Sequence, residues 1–277
     1  MIDGFYPPPK PAIILPNRPE IIRPHSSANG ASAKRACDPR FHVPDAAMHI
    51  SMLLGGLGVT ALGGKGAPAA AAATQHILIV FFAYAASSTT VTWPTGWTQL
   101  FSPTFNTNVG LEARYRVTDG TEGASIELTT SGSVKSAHQC YRIGAGLSAE
   151  GAVVNGGSGS NNPDPPNLAP SWGSAANLWL SACSYTQDGG VAVTAYPSSY
   201  TDGRDDKTST GNGCGLGTAR RALTAASENP GTFTIGSSKR WVGATVAVQP
   251  SAETPTVTAL AGNNNDAGGT AHTVTLA

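Results

Sequence analysis

The chain has 277 residues, with 17 basic and 17 acidic side chains, so its formal net charge is zero. Only 12% of the residues are charged, against about 25% in ordinary soluble domains, whereas glycine (33) and proline (20) are abundant. This balance excludes the dense basic stripe of a nucleic-acid surface and points to a surface of Ser, Thr, Asn and Gly, as in a rigid particle component or a secreted domain.

Residues 1–75 read as an extended Pro/Ala/Gly-rich anchoring arm. Pro7, Pro8, Pro9 and Pro11 each fix their own φ and bias the residue before them toward extended backbone. Ile13 and Ile14, then Ile21 and Ile22, place apolar anchors along that arm, and Pro16, Pro19 and Pro24 keep it out of helices and central strands. Paired isoleucines at spaced positions suit a segment ordered in a partner's groove, where it meets its ordering cost only on binding. The opening residues lack the apolar core of a signal peptide. Met48–Ala61 is shorter than the roughly 18 apolar residues of a membrane span, and its glycines oppose a stable helix. A long atypical leader ending near Ala67–Ala73 is the minor alternative.

Residues 76–249 read as a β domain. "HILIVFFAYA" at 76–85 is almost continuously apolar, which predicts a strand buried on both faces or lying under the arm. Pro94–Gly96 marks a turn between two aromatic segments of 89–101. Over 109–118 Leu111, Ala113, Tyr115 and Val117 alternate with Glu112, Arg114 and Arg116, an apolar face against a polar one. Asp119–Gly120 is a turn, and strands are expected at 124–130 and 134–143. Residues 155–176 and 197–215 read as long polar loops, with strands at 177–186, 191–196, 218–227, 231–236 and 240–250. Eight to ten short strands with frequent turns predict a β-sandwich or jelly roll. The last 28 residues, 250–277, read as a short β-rich tail: a small hairpin, two edge additions to a neighbour, or a frayed end.

Candidate chemistry is sparse. The six histidines are scattered, and His138 reads as structural. Asp202, Asp205 and Asp206 have some flavour of a calcium loop but lack the EF-hand spacing. Glu112 and Glu127 could pair as glycosidase carboxylates, although each falls on the polar side of its strand. Cys140 and Cys183 read as buried thiols, a disulfide between them being the weaker option. Trp93, Trp179 and Trp241 read as core. Trp172, beside Pro170 and Gly173, is the candidate for an exposed sugar-stacking ring. No catalytic, metal or cofactor set emerges.

"VTWPTGWTQL", "LEARYRVTDG", "VKSAHQCYRIGAG", "NLWLSACSY" and "RWVGATVAVQP" resemble the β-sandwich domain of tailed-bacteriophage virion proteins, over most of 76–249. The Pro-rich opening is similar in style to arms on small phage structural proteins. The resemblance implies a non-enzymatic, homo-oligomeric virion component without cofactor, nucleic acid or membrane. It would be a capsid decoration or cement protein strapped by its arm across the major capsid protein. The alternatives are a minor tail, collar or fibre component, or a carbohydrate-binding adhesion domain on the virion.

Overall fold

The computed structural model describes residues 75–86, 88–101, 104–106, 108–156 and 159–277. The segment expected as an anchoring arm, residues 1–75, lies outside the described residues apart from Gln75. Those residues form an all-β fold of three antiparallel sheets. The strands are β1 (His76–Tyr84), β2 (Val91–Thr92), β3 (Thr98–Gln99), β4 (Thr104–Asn106), β5 (Val109–Val117), β6 (Ser125–Gly144), β7 (Gly146–Asn155), β8 (Ala175–Gln187), β9 (Val193–Ala195), β10 (Thr201–Lys207), β11 (Gly213–Ala225), β12 (Thr234–Ile235), β13 (Trp241–Pro250) and β14 (Thr256–Thr275). The first sheet has the order β14-β6-β1-β5-β3, with β2 added to β6 and β4 to β5. The second has the order β10-β11-β8-β13-β7, and β9 and β12 form a small third sheet.

Strand β1 is central because both of its faces are apolar. Ile77, Ile79, Phe81 and Ala83 point into a core shared with Leu178, Leu180, Leu216, Val246 and Val248 of the second sheet. The intervening Leu78, Val80, Phe82 and Tyr84 point the other way, into a second core with Trp93, Trp97, Leu128, Val134, Val274 and Leu276. Of the two expectations for this strand, burial on both faces is the one realised. Each large side chain so buried contributes about 1.5–3 kcal/mol.

The second core exists because the first sheet curls over itself. The strands expected at 124–130 and 134–143 are one 20-residue strand, β6. Its second half pairs with β1, while its first half pairs with β2 at Val91–Thr92 and with the end of β14. Strand β14 follows the bend through register shifts between Asn265 and Ala271, where Gly268 and Gly269 adopt φ of 73° and 149°. Left-handed backbone of this kind is open to glycine at little steric cost. The C-terminal stretch expected as a tail or small hairpin is therefore a paired strand of the sheet, with Val274 and Leu276 in the core.

The outer face of the second sheet is covered as well. Of the stretch 155–176, expected as surface loop, residues 159–174 lie across it with Pro163, Pro165, Leu168 and Pro170 buried. Phe233 N donates to Pro163 O (2.8 Å) and Ile235 N to Asn161 O (2.8 Å). Thr245 Oγ1 donates to Pro166 O (2.6 Å). A Cβ on Gly243 would come within 3.0 Å of Pro165 Cα, so the glycine permits the close approach. The other expected loop, 197–215, contains β10 and the start of β11.

Candidate functional site

Pro8, Pro11, Ile13, Ile14, Ile21 and Ile22 of the arm, and Cys37, lie outside the described residues. The remaining candidates can be placed, and the structure distributes them rather than gathering them.

Trp172, the candidate sugar contact, is half-buried. It packs beside Trp179, Leu168 and Tyr200, and its indole N–H donates to Asn177 Oδ1 at 2.9 Å. The ring is a component of the outer layer of the second sheet rather than a free stacking platform. Trp93, Trp179 and Trp241 are core, as their strand positions suggested, and Trp97 joins them.

Glu112 and Glu127 are not a pair. Glu127 is exposed, whereas Glu112 is 2% exposed, against the expectation of a polar strand face. The face opposite the main core is itself covered by the curl of the sheet, so Glu112 enters the second core. There it accepts a hydrogen bond from Trp93 Nε1 at 2.9 Å and bonds to the Tyr84 hydroxyl. The Arg114 guanidinium lies over the Trp93 ring, 5.3 Å from its centroid. Burial raises the Glu112 carboxyl, while Trp93, Arg114 and Tyr84 pull it back down. The group is a sealed polar insert that orients three aromatic and cationic neighbours.

A second polar insert in the curl is built on His272 and His138. Ser136 Oγ is 2.9 Å from His272 Nδ1, Thr130 Oγ1 is 3.1 Å from its Nε2, and Phe82 packs edge-on against the ring at 5.3 Å. His138 accepts from Thr275 N at 3.2 Å. Its pKa falls to about 4, chiefly because burial disfavours the cation. The structural reading of His138 agrees with this placement, since its imidazole tethers the end of β14.

The three aspartates of 202–206 sit on β10 and face different partners. Asp202 pairs with Arg220 (2.7 Å) and Asp206 with Arg204 (2.5 Å). Asp205 accepts from Tyr185 OH (2.6 Å) and Lys207 Nζ (3.0 Å). Among the described residues no group of three or more His, Cys, Asp or Glu could hold a metal ion. Cys140, Cys183 and Cys214 are buried free thiols. Cys140 and Cys183 lie in separate cores, one inside the curl and one outside the second sheet, so they are not joined.

A polar cleft of about 860 Å³ lies where the end of β1, the end of β8 and the approaches to β11 and β13 meet. Lys239 and Asp188 face each other across part of it at 2.5 Å, which holds the Asp188 carboxyl below its ordinary range. The Gln187 side chain there is occupied by the Gly189–Val191 turn. The cleft offers hydrogen bonds to a polar ligand. Among the described lining residues the carboxylate is that of Asp188, already engaged by an ammonium.

Sequence reasoning missed both inserts and a buried polar seam between the sheets, where Thr218 Oγ1 donates to Gln139 and lies beside Tyr141 OH. The only advance signal was a polar residue at each alternate position of strands otherwise rich in apolar ones. The chain matches no protein-family model, no curated protein and no solved structure.

Proposed function

We propose that this chain is a non-enzymatic structural component of a bacteriophage virion, a capsid decoration or cement protein whose N-terminal arm straps it to the major capsid protein. The layered β domain is read as a jelly-roll-like knob that repeats in many copies over the particle surface. One observation carries the proposal: of the residues behind the resemblance only Arg240 lines the cleft, and the aromatic and turn residues serve the scaffold. Trp93 and Trp97 pack against each other inside the curl, ring centroids 5.9 Å apart and planes tilted by 46°. Arg116 clamps the Asp119–Gly120 turn through Asp119 at 3.0 Å, with Gly120 at φ 87°. A scaffold of this kind with few surface charges suits dense packing against protein, where many weak contacts act together.

The test is co-sedimentation with expanded capsids and with isolated tails, comparing the full chain with one lacking residues 1–75. Saturable capsid binding that is lost with the arm is the expected result. Binding to tails alone moves the protein to the tail, collar or fibre, and binding to neither particle overturns the proposal.

A further inference from the structure

The curl that covers the second core is closed by the end of β14. Ala271–Thr275 pair with Ser125–Thr129 of β6, and Leu276 N donates to Ala124 O (2.9 Å). Val274 and Leu276 are 0% and 8% exposed and share the core with Leu128 and Cys140. A hinge joins this stretch to the rest of β14. The ladder slips on both sides of Gly269, and Gly268 and Gly269 hold φ of 73° and 149°. Rotation there breaks one ladder only, because among the described residues 271–275 pair with β6 alone.

Side chains tie the stretch down as well, and two of the ties are imidazoles. Thr130 Oγ1 gives its proton to Gly132 O (2.8 Å), so it accepts from His272 Nε2 (3.1 Å). Nδ1 of His272 then accepts from Ser136 Oγ (2.9 Å). When His272 takes a proton, the Ser136 hydroxyl can turn and accept instead, and both contacts survive. His138, on β6, has no such freedom. Its Nε2 accepts from the backbone N–H of Thr275 (3.2 Å), and an imidazolium has no acceptor. A backbone N–H cannot turn away, so a proton on Nε2 sets two donors against each other. The third tie, from Arg142 to Ala277 O, keeps its charge at any working pH.

The charges around His138 do not rescue its cation. Asp206 of β10 favours it, while Arg204 of β10 and His272 of β14 oppose it. Burial outweighs all three and lowers the pKa to about 4. On its own strand Cys140 and Arg142 share its face by alternation. Across the sheet Phe82 and Tyr84 of β1 lie on that face, with Glu112 of β5 beyond Phe82. An opened strap returns the imidazole toward its ordinary pKa, so proton uptake favours the open form.

We propose that residues 270–277 are a strap hinged at Gly268–Gly269 that opens in acid, when His138 can no longer accept from Thr275 N. Opening uncovers the second core and frees the edge of β6 at Ser125–Thr129. At neutral pH the burial of Val274 and Leu276 keeps the strap shut. The device is independent of the capsid role proposed above.

Cys140 is the natural reporter. Its thiol is buried in the second core and bonds to the backbone of Ala277, whereas Cys183 and Cys214 belong to other cores. The full-length chain with Cys37→Ser is treated with an acid-active pyridyl disulfide at pH 6.5 and pH 4, the ordinary and lowered pKa values of His138. Each labelled thiol is located by peptide mass, and its rate is taken relative to the unfolded chain at the same pH. Cys140 should label about tenfold or more faster at the lower pH, with Cys183 and Cys214 protected throughout. His138→Gln, which cannot take the proton, should remove the difference between the two conditions. So should an oxidised clamp of Glu127→Cys with Thr273→Cys, two exposed positions that stand opposite each other. Cys140 protected in acid, Cys140 labelled only together with Cys183 and Cys214, or a difference that persists in either variant overturns the inference.

Discussion

His138 makes stability depend on pH in a way that can be isolated. In the fold its pKa is depressed from 6.5 to about 4: burial is the largest cause, Arg204 and His272 push the same way, and Asp206 opposes them. The unfolded chain therefore takes up the proton first as pH falls. The stability that depends on neutral His138 is intact above pH 6.5 and is lost progressively as pH falls toward 4. A difference of about 2.5 units, at about 1.4 kcal/mol per unit, amounts to ~3 kcal/mol at the acid end. Glu112 acts in the opposite sense, because its raised carboxyl pKa means that acid relieves a buried charge. The net profile of the native chain thus mixes terms, and His138→Gln removes one of them. Guanidinium unfolding at pH 7, 6, 5 and 4 should give a profile flatter by about 3 kcal/mol in the variant, on top of a constant offset for the altered contact with Thr275. If the two profiles fall in parallel, His138 is not held neutral by the fold and the reasoning fails.

Three further outcomes follow from the same packing. Trp93→Phe removes the N–H that satisfies Glu112 and should cost about 1–3 kcal/mol, whereas Glu112→Gln, which keeps an acceptor for that N–H, should cost less; denaturant midpoints at pH 7 decide between them. Gly243→Ala forces a methyl to within 3.0 Å of Pro165 and should lower stability by about 1–3 kcal/mol, read as a fall in Tm. Burial raises the thiols of Cys140 to about 11 and of Cys214 to about 12, and raises that of Cys183 as well. These three should be unreactive toward a thiol reagent in the native protein and react only on unfolding, so that at most one of the four cysteines labels quickly. Rapid labelling of two or more would contradict the packing of the three cores that hold them.

Period-two alternation, turn residues and unbroken apolar runs were enough to indicate the all-β character of the described residues, a first strand at 76–85 with no water-facing side, the Asp119–Gly120 turn and the core positions of Trp93, Trp179 and Trp241. Each of these depends on the chain within a few residues of itself. The polar face of β5 shows where that locality ends: alternation sets Glu112 opposite Leu111, but whether the opposite side meets water or a second core depends on β6 curling over and on β14, more than a hundred positions later in the chain, pairing with it. For the same reason a polar run such as 201–207 reads as loop until β11 is seen to pair with it, and the last twenty-odd residues read as tail until β6 supplies the partner. The candidate chemistry of Trp172 and of the 202–206 aspartates was decided in the same way, by the neighbours that tertiary packing assigned to them. Local pattern determines which residues can form strands and which side chains share a face; only the closure of the sheets determines which of those faces become interior, because burial belongs to surfaces brought together from distant parts of the chain.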